Sequence, residues 1–590
     1  MAVAEPAIPR TLCAPTPLPS ARLKGRARRR RGVRVLLVLL LALGSLAGCL
    51  SSHGHDVPVS PPGGRPLDPL TNATFHLGPF IATRVASFDG TGLHIDVQLP
   101  DGPGPFPTLL TDTPYSLLGE DAAGAQADLG RPFGGGYVSE YVPRGYAVAV
   151  AHVRGTGESG GCLTIGDPAE GKDGYALVEW IANQTWSNGK VAMIGTSYDG
   201  TTPLETAVWN PPHLATIVPI SPVTEWYRYY FELGTHRRNA DPFPGSSDTD
   251  PALWAAMGIT PGVRTGATGG VDDARCPADY TFEDDAQDDY DAFWHARDHH
   301  AKAGNITAPM LFAHGWEDGN VAPSGFPSLW ANVTSEKRLW LEQHGHGVPA
   351  SKTAYHEYQH RWLDYWLLGK QNGALLLPPV VIEDNDGKFR AEQDWPPRDA
   401  TALRLNLSSD AMRLVQDVPA GQDSFGYQDL GTGNEDDTMP DKDHASFETP
   451  PLAAPLHLAG IPVLGLNLRQ NMPGGQFDAN LYDVAPDGAQ AYLSRGFLDA
   501  RHRASLDHGA DMPSLQAVDV RIPLHGNDHV VPAGHHLRLV LKGSDDYVQR
   551  SPYRPLVAVT IAKGLSWLDL PVVPDASRPA SNEAPHPWSP

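Results

Sequence analysis

Cysteine is scarce: the 590-residue chain has four, at positions 13, 49, 162 and 276. So few exclude a small disulfide-stapled scaffold and a Cys-x-x-Cys zinc site. Long apolar runs are scarcer still. The longest, residues 35–43, has nine positions, short of the roughly 20 that a membrane helix needs. Positive charge is outnumbered, with 45 Lys and Arg against 68 Asp and Glu and a net charge of -23. Nine of those bases and a single acid, Glu5, precede Cys49, which leaves 36 bases against 67 acids from there on. A surface of that sign repels phosphate backbones, so nucleic acid is not an expected partner. What abounds is Gly (60) and Pro (56), and a chain rich in turn residues favours many strands over a helical bundle. With 41% hydrophobic and 19% charged residues, a packed core is expected rather than disorder.

The basic run before the apolar stretch, and Leu46-Ala47-Gly48-Cys49 after it, have the order of an export signal. The last four residues resemble a prokaryotic lipobox, in which the cysteine is lipidated. Residues 1–48 are therefore expected to be a signal segment and residues 49–75 a Pro/Gly-rich tether. A lipid on Cys49 would make the membrane a partner and put the protein at the cell surface; plain secretion is the alternative. Cys162 and Cys276 remain for the mature fold, and export favours a disulfide between them over two free thiols. Asn72, Asn183, Asn305, Asn332 and Asn406 each open an Asn-x-Ser/Thr sequon, which has meaning only in a glycosylating host.

From about residue 76 short apolar strands alternate with helical patterns. Residues 93–99, 106–110, 146–151, 190–195, 310–313 and 338–341 read as strands. Residues 175–186 read as a helix, as does a segment with Tyr355, Tyr358, Trp362 and Trp366 inward that ends at Gly369. This alternation predicts an α/β domain with a parallel sheet over residues 76–375. Residues 222–300 break the rhythm with aromatics and acids, and are expected to form an inserted helical cap. Beyond about 375 the helical period gives way to short alternating runs, such as Leu537-Arg538-Leu539-Val540-Leu541. That predicts an all-β sandwich over residues 376–590.

Gly195-Thr196-Ser197-Tyr198-Asp199-Gly200 follows an apolar strand and precedes a helical segment. It misses the usual G-x-S-x-G elbow by one position, yet the strand–turn–helix setting is that of an exposed nucleophile. A serine hydroxyl needs a base, and the base an orienting carboxylate. Candidates follow in the chain order Ser, Asp, His, each just after a later strand. Asp318 in His314-Gly315-Trp316-Glu317-Asp318 is the expected orienter and His346 in His344-Gly345-His346 the base, with Glu317 and His344 as the neighbours that could replace them.

The elbow, Arg154-Gly155-Thr156-Gly157-Glu158-Ser159-Gly160-Gly161, Gly315-Trp316-Glu317-Asp318 and Thr113-Pro114-Tyr115 resemble, in order, the X-prolyl dipeptidyl-peptidase and cocaine esterase-like hydrolases. The shifted second glycine is what that family shows. The resemblance implies an α/β-hydrolase core, a helical cap and a C-terminal jelly roll. It also implies that the Tyr115 hydroxyl and the Tyr198 backbone N–H hold the oxyanion. Leu481-Tyr482-Asp483-Val484-Ala485-Pro486-Asp487-Gly488 and Gly534-His535-His536-Leu537 are similar to the jelly-roll domain. The departure is at the base, where the family often has Trp-x-His.

The expected reaction is acyl transfer from a peptide or ester substrate to water, with no metal and no organic cofactor. X-Pro dipeptide release is favoured over ester or amide hydrolysis on the same triad. A peptidase of this kind must hold a free amine, for which Glu225, beside Trp226, and the acids between 283 and 291 are candidates. Two rival chemistries are weaker. His356-Glu357-Tyr358-Gln359-His360 matches a zinc-peptidase H-E-x-x-H, but its histidines are expected on the surface and no third ligand is marked. Gly155-Thr156-Gly157-Glu158-Ser159-Gly160 matches a dinucleotide loop but lacks the helix that should open there. A non-catalytic surface binding protein would leave the Ser, Asp and His unexplained.

Overall fold

Segments apolar at every position can be shielded from water only when covered on both faces, which is how a parallel sheet buries its strands. Strands of this kind form the centre of the first, ten-stranded sheet of the computed structural model. The model describes residues 66–115, 136–237 and 288–586, apart from 351, 409–412, 417–422, 430–443, 546, 549–550, 562–563 and 575–579.

The strands in chain order are β1 (Leu77–Ala86), β2 (Gly92–Pro100), β3 (Phe106–Thr113), β4 (Ala147–His152), β5 (Ser187–Thr196), β6 (Leu214–Ile220), the short β7 (Phe231–Glu232) and β8 (Thr235–His236), β9 (Met310–Gly315), β10 (Lys337–Glu342), β11 (Val380–Glu383) and β12 (Phe389–Glu392). The sheet order is β1-β2-β4-β3-β5-β6-β9-β10-β11-β12, while β7 and β8 pair as a separate hairpin. Pairing is parallel from β4 through β11, with β1, β2 and β12 antiparallel at the rims. Ligands of such sheets sit beyond the carboxyl ends of the strands. Tyr115, Ser197, Asp318 and His346 follow β3, β5, β9 and β10 at that end.

Seven helices are described: α1 (Tyr137–Tyr141), α2 (Pro168–Ala182), α3 (Tyr198–Ala207), α4 (Trp226–Tyr230), α5 (Ala292–Ala296), α6 (Phe326–Asn332) and α7 (Lys352–Leu368). The helix expected from residue 175 begins earlier, at Pro168. Asp167 caps it by accepting from the Ala169 N–H at 2.7 Å, and Pro168 occupies the first turn, where its missing N–H costs nothing. Gly171 and Gly174 obscured this start because glycine weakens a helical pattern. A Cβ at either would collide with Glu205 or Thr206 of α3, so these glycines let α2 close onto the helix that follows Ser197.

Of the expected cap, the described residues hold α4, the β7–β8 hairpin and α5. Trp226, Tyr227, Tyr230, Phe231 and Trp294 join there in one aromatic cluster with Tyr115 and Tyr198. Residues 238–287, with Cys276 and the acids at 283–285, lie outside the described residues. Residues 1–65 do as well, so the signal segment and Cys49 are not placed. Cys162 is disulfide-bonded, and the other three cysteines lie outside the described residues; none of the described helices is long and apolar enough to cross a membrane.

The change of pattern near residue 375 is not a clean cut, because β11 and β12 extend the first sheet to Glu392. Beyond it the strands from Thr401–Ser408 to Trp567–Val572 form an all-β domain. Its core runs through Leu464, Leu481, Leu537, Leu539 and Leu568, each at most 1% exposed. The chain then returns to the first sheet, where Ser581 exchanges both backbone hydrogen bonds with Phe389 of β12 and the Tyr358 hydroxyl of α7 donates to the Pro585 carbonyl at 2.9 Å.

Candidate active site

Between the last residue of β5 and the first of α3 there is one residue, Ser197. To reverse the chain in that space it takes φ 67 and ψ -126, a conformation that side chains rarely adopt and that marks functional strain. Its N–H donates to the Ile220 carbonyl of β6 at 2.9 Å. Gly195 leaves room for Asp199, and Gly200 sits so close to Ile220 that a Cβ would strike its carbonyl. The second glycine of the elbow therefore stands at 200, where the helix abuts β6.

The Tyr115 hydroxyl lies 3.3 Å from Ser197 Oγ, and the Tyr198 backbone N–H donates to that same tyrosine hydroxyl. Both expected oxyanion donors thus converge beside the serine. Burial, reinforced by the nearby Asp199 carboxylate, pushes the Tyr115 phenol above its ordinary pKa, so the group stays protonated and able to donate. Tyr115→Phe is expected to lower kcat by about 10²–10³-fold with little change in KM, the usual cost of one oxyanion donor; steady-state kinetics on any accepted substrate checks it.

Asp318 Oδ2 lies 2.8 Å from His346 Nδ1. Asp318 Oδ1 accepts the N–H groups of Asn320 at 3.0 Å and Val321 at 2.8 Å. Burial alone would raise this carboxyl, but the hydrogen bond and charge of His346, with His314 and the Val321 N–H, hold it below the usual range. His346 Nε2 is buried with no hydrogen-bond partner among the described residues. The alternatives are placed differently. Glu317 is exposed, and the His344 ring turns its Nδ1 to the neighbouring Gly345 carbonyl at 2.6 Å.

Several residues here carried no local signal. His314, buried on β9, contacts the Val321 carbonyl at 2.9 Å and lies 3.7 Å from Asp318 Oδ2. Behind the elbow, Tyr198 donates its hydroxyl to Glu170 at 2.9 Å, and the Trp226 indole donates to Glu205 at 3.1 Å. Burial and the neighbouring Glu205 charge push Glu170 up to about 7. Trp226 is thereby part of an internal wall. Glu225 is buried and already paired, 3.2 Å from Arg228 Nε and 3.5 Å from His300 Nδ1. Any substrate amine would have to compete with these partners.

The rival chemistries lose their geometry. His360 is not on the surface as expected: it is buried against the Tyr141 ring and 3.5 Å from Asp364, because α7 is covered on that side by α1. Glu357 pairs with Arg361 at 2.8 Å. Among the described residues the trio whose ligand atoms gather is Asp288, Asp289 and His502, and Arg501 is already bonded to Asp288. In the glycine-rich loop after β4, Arg154 grips Asp173 of α2 with two bonds of 2.6 Å. No helix opens before Pro168, so this loop is a structural clamp.

A family model described as X-Pro dipeptidyl-peptidase (S15 family) matches residues 89–348, and one described as X-Pro dipeptidyl-peptidase C-terminal non-catalytic domain matches residues 372–554. A Streptomyces avermitilis protein, provisionally named Xaa-Pro dipeptidyl-peptidase, is 27% identical over 500 residues, covering 72% of this chain and 71% of that protein. A CocE/NonD family hydrolase from Staphylococcus aureus shares the fold with a TM-score of 0.69 at 19% identity, over 87% of this chain and 100% of its own. An α-amino acid ester hydrolase does so with a TM-score of 0.67 at 20% identity, over 87% of this chain and 99% of its own. With a strand–turn–helix elbow at Ser197 on a mostly parallel sheet and an all-β domain after it, the chain belongs to the X-Pro dipeptidyl-peptidase (S15) family, has the α/β-hydrolase fold and is a serine hydrolase.

Proposed function

We propose that the protein releases X-Pro dipeptides from peptide N-termini by a Ser197–His346–Asp318 mechanism. The observation that carries this is the Tyr115 hydroxyl, which sits at Ser197 Oγ and is itself met by the Tyr198 N–H, with Asp318 set on His346 Nδ1. His346 takes the Ser197 proton through Nε2, and the serine oxygen attacks the carbonyl. Tyr115 and the Tyr198 N–H hold the oxyanion, and His346 returns the proton to the leaving amine. Water then repeats the sequence on the acyl-enzyme. Export, lipidation of Cys49 and a Cys162–Cys276 disulfide complete the reading, supported by the order of charge, apolar run and Leu-Ala-Gly-Cys at the N-terminus.

Ester hydrolysis on the same machinery is the second reading. The pairing of Glu225 with Arg228 and His300 favours it, since an ester substrate needs no amine anchor. The test compares an alanyl-prolyl anilide, its N-acetyl form and a short-chain nitrophenyl ester, with and without a chelator. Cleavage of the free-amine anilide, lost on acetylation and indifferent to chelator, is the expected result. Ester cleavage alone would replace the peptidase reading with the second one. Loss on chelation would overturn the serine mechanism.

A further inference from the structure

Two consecutive peptide groups wrap the Asp318 carboxylate, and each is gripped on its other side by one cap residue. The Gly319–Asn320 peptide gives its N–H to Asp318 Oδ1 at 3.0 Å, while its carbonyl accepts from Arg237 Nη2 at 3.2 Å. The Asn320–Val321 peptide gives its N–H to the same oxygen at 2.8 Å, and its carbonyl accepts from Arg237 Nη2 at 2.8 Å. A peptide group is planar, so its N–H and C=O turn together. The guanidinium on the carbonyls thereby fixes the direction of both N–H groups, and with them the carboxylate plane. Tyr229 adds a hold on the same turn, donating to Asn320 Oδ1 at 3.0 Å.

Arg237 is 1% exposed, and its own position is set by the C-terminal domain. It donates to the Tyr547 hydroxyl and stacks over that ring at 4.5 Å, and its backbone bridges to Val548. Tyr547 is in turn stacked on Phe497 at 5.4 Å. On the hairpin that leads to Arg237, Glu232 is bonded to His525 of the β domain at 2.8 Å, and the Asp499 N–H donates to the Leu233 carbonyl at 3.0 Å.

We infer that Arg237 is a positioning residue for Asp318, through which the C-terminal β domain holds the orienting carboxylate in line with His346. This rests on the Asp318 assignment above. The domain then does more than cover the core: its Tyr547 is part of the scaffold of the triad.

The test measures kcat, KM and the acid limb of kcat/KM for Arg237→Ala, Arg237→Lys and Tyr547→Phe, beside Asp318→Asn. Arg237→Ala is expected to lose about tenfold to a hundredfold in kcat, with KM little changed, as a misplaced catalytic group does. Its acid limb moves to lower pH, because a poorly aimed carboxylate stabilises the imidazolium less. Arg237→Lys keeps the charge but not the planar fork, and should lose rate similarly. Tyr547→Phe should show a smaller loss with the same direction of limb shift, and it decides the matter if the Arg237 variants do not fold. Wild-type kcat and an unmoved limb, or a rise in KM alone, would overturn the inference. If Asp318→Asn loses activity while the Arg237 and Tyr547 variants keep it, only this inference falls. If Asp318→Asn stays active, the triad assignment falls with it.

Discussion

Ser197→Ala is expected to lower kcat by about 10⁵- to 10⁶-fold, the scale on which serine hydrolases lose their nucleophile. A residue of catalysis should survive, because Tyr115 and the Tyr198 N–H still face the carbonyl and can polarise it for water. The fold should survive too. Alanine inherits the φ of 67 at a cost close to that of serine, and the Ser197 N–H bond to Ile220 involves only backbone. Ser197→Gly makes a useful companion. It should be equally inactive but more stable than the alanine variant by about 1 kcal/mol, since glycine takes positive φ without strain. Turnover of the accepted substrate and thermal melting together check both. An active alanine variant with an unchanged melt would remove Ser197 from the mechanism.

Asp318→Asn should cost about 10⁴-fold in kcat, as loss of the orienting carboxylate does elsewhere, and the structure says how. Oδ1 accepts two backbone N–H groups, so the asparagine oxygen is forced to that side. Its NH₂ then faces His346 Nδ1, 2.8 Å away in the wild type. Nδ1 must accept, the ring proton moves to Nε2, and His346 can no longer take a proton from serine. The exposed Glu317 is the control, and Glu317→Gln should leave kcat within a factor of about two, as surface changes usually do. Because the Asp318 carboxyl is held below its usual range, its charge also favours the fold at every pH above the ordinary carboxylate value near 4. That contribution is lost as pH falls through the lowered value.

The proposed triad could be read from the sequence because each member is marked within a few residues. An apolar strand, a sharp turn and a reactive side chain occur together at Ser197, Asp318 and His346, and the order Ser, Asp, His fits one sheet. Choosing between His344 and His346, or Glu317 and Asp318, required the ring and carboxylate directions. What pattern could not reveal was anything set by distant chain. Arg237 reads as one base in Thr235-His236-Arg237-Arg238, and nothing local shows that it reaches Asn320 and Tyr547. The burial of His360 depends on Tyr141, more than two hundred residues earlier. Glu170 and Glu205 look like surface acids on two helices until α2 and α3 close on each other. The edge strands β11 and β12 misled for a different reason: short strands after a helix resemble the sandwich strands that follow.

The exchange of backbone bonds between Phe389 and Ser581 has a consequence for the order of synthesis. The hydrolase sheet leaves the ribosome with β12 as a bare rim, and the segment that pairs with it at Ser581 follows only after the whole β domain. Until then that rim can pair with any extended chain nearby. A change that displaces the segment around Ser581 would therefore disturb the hydrolase sheet rather than the domain that precedes it in sequence.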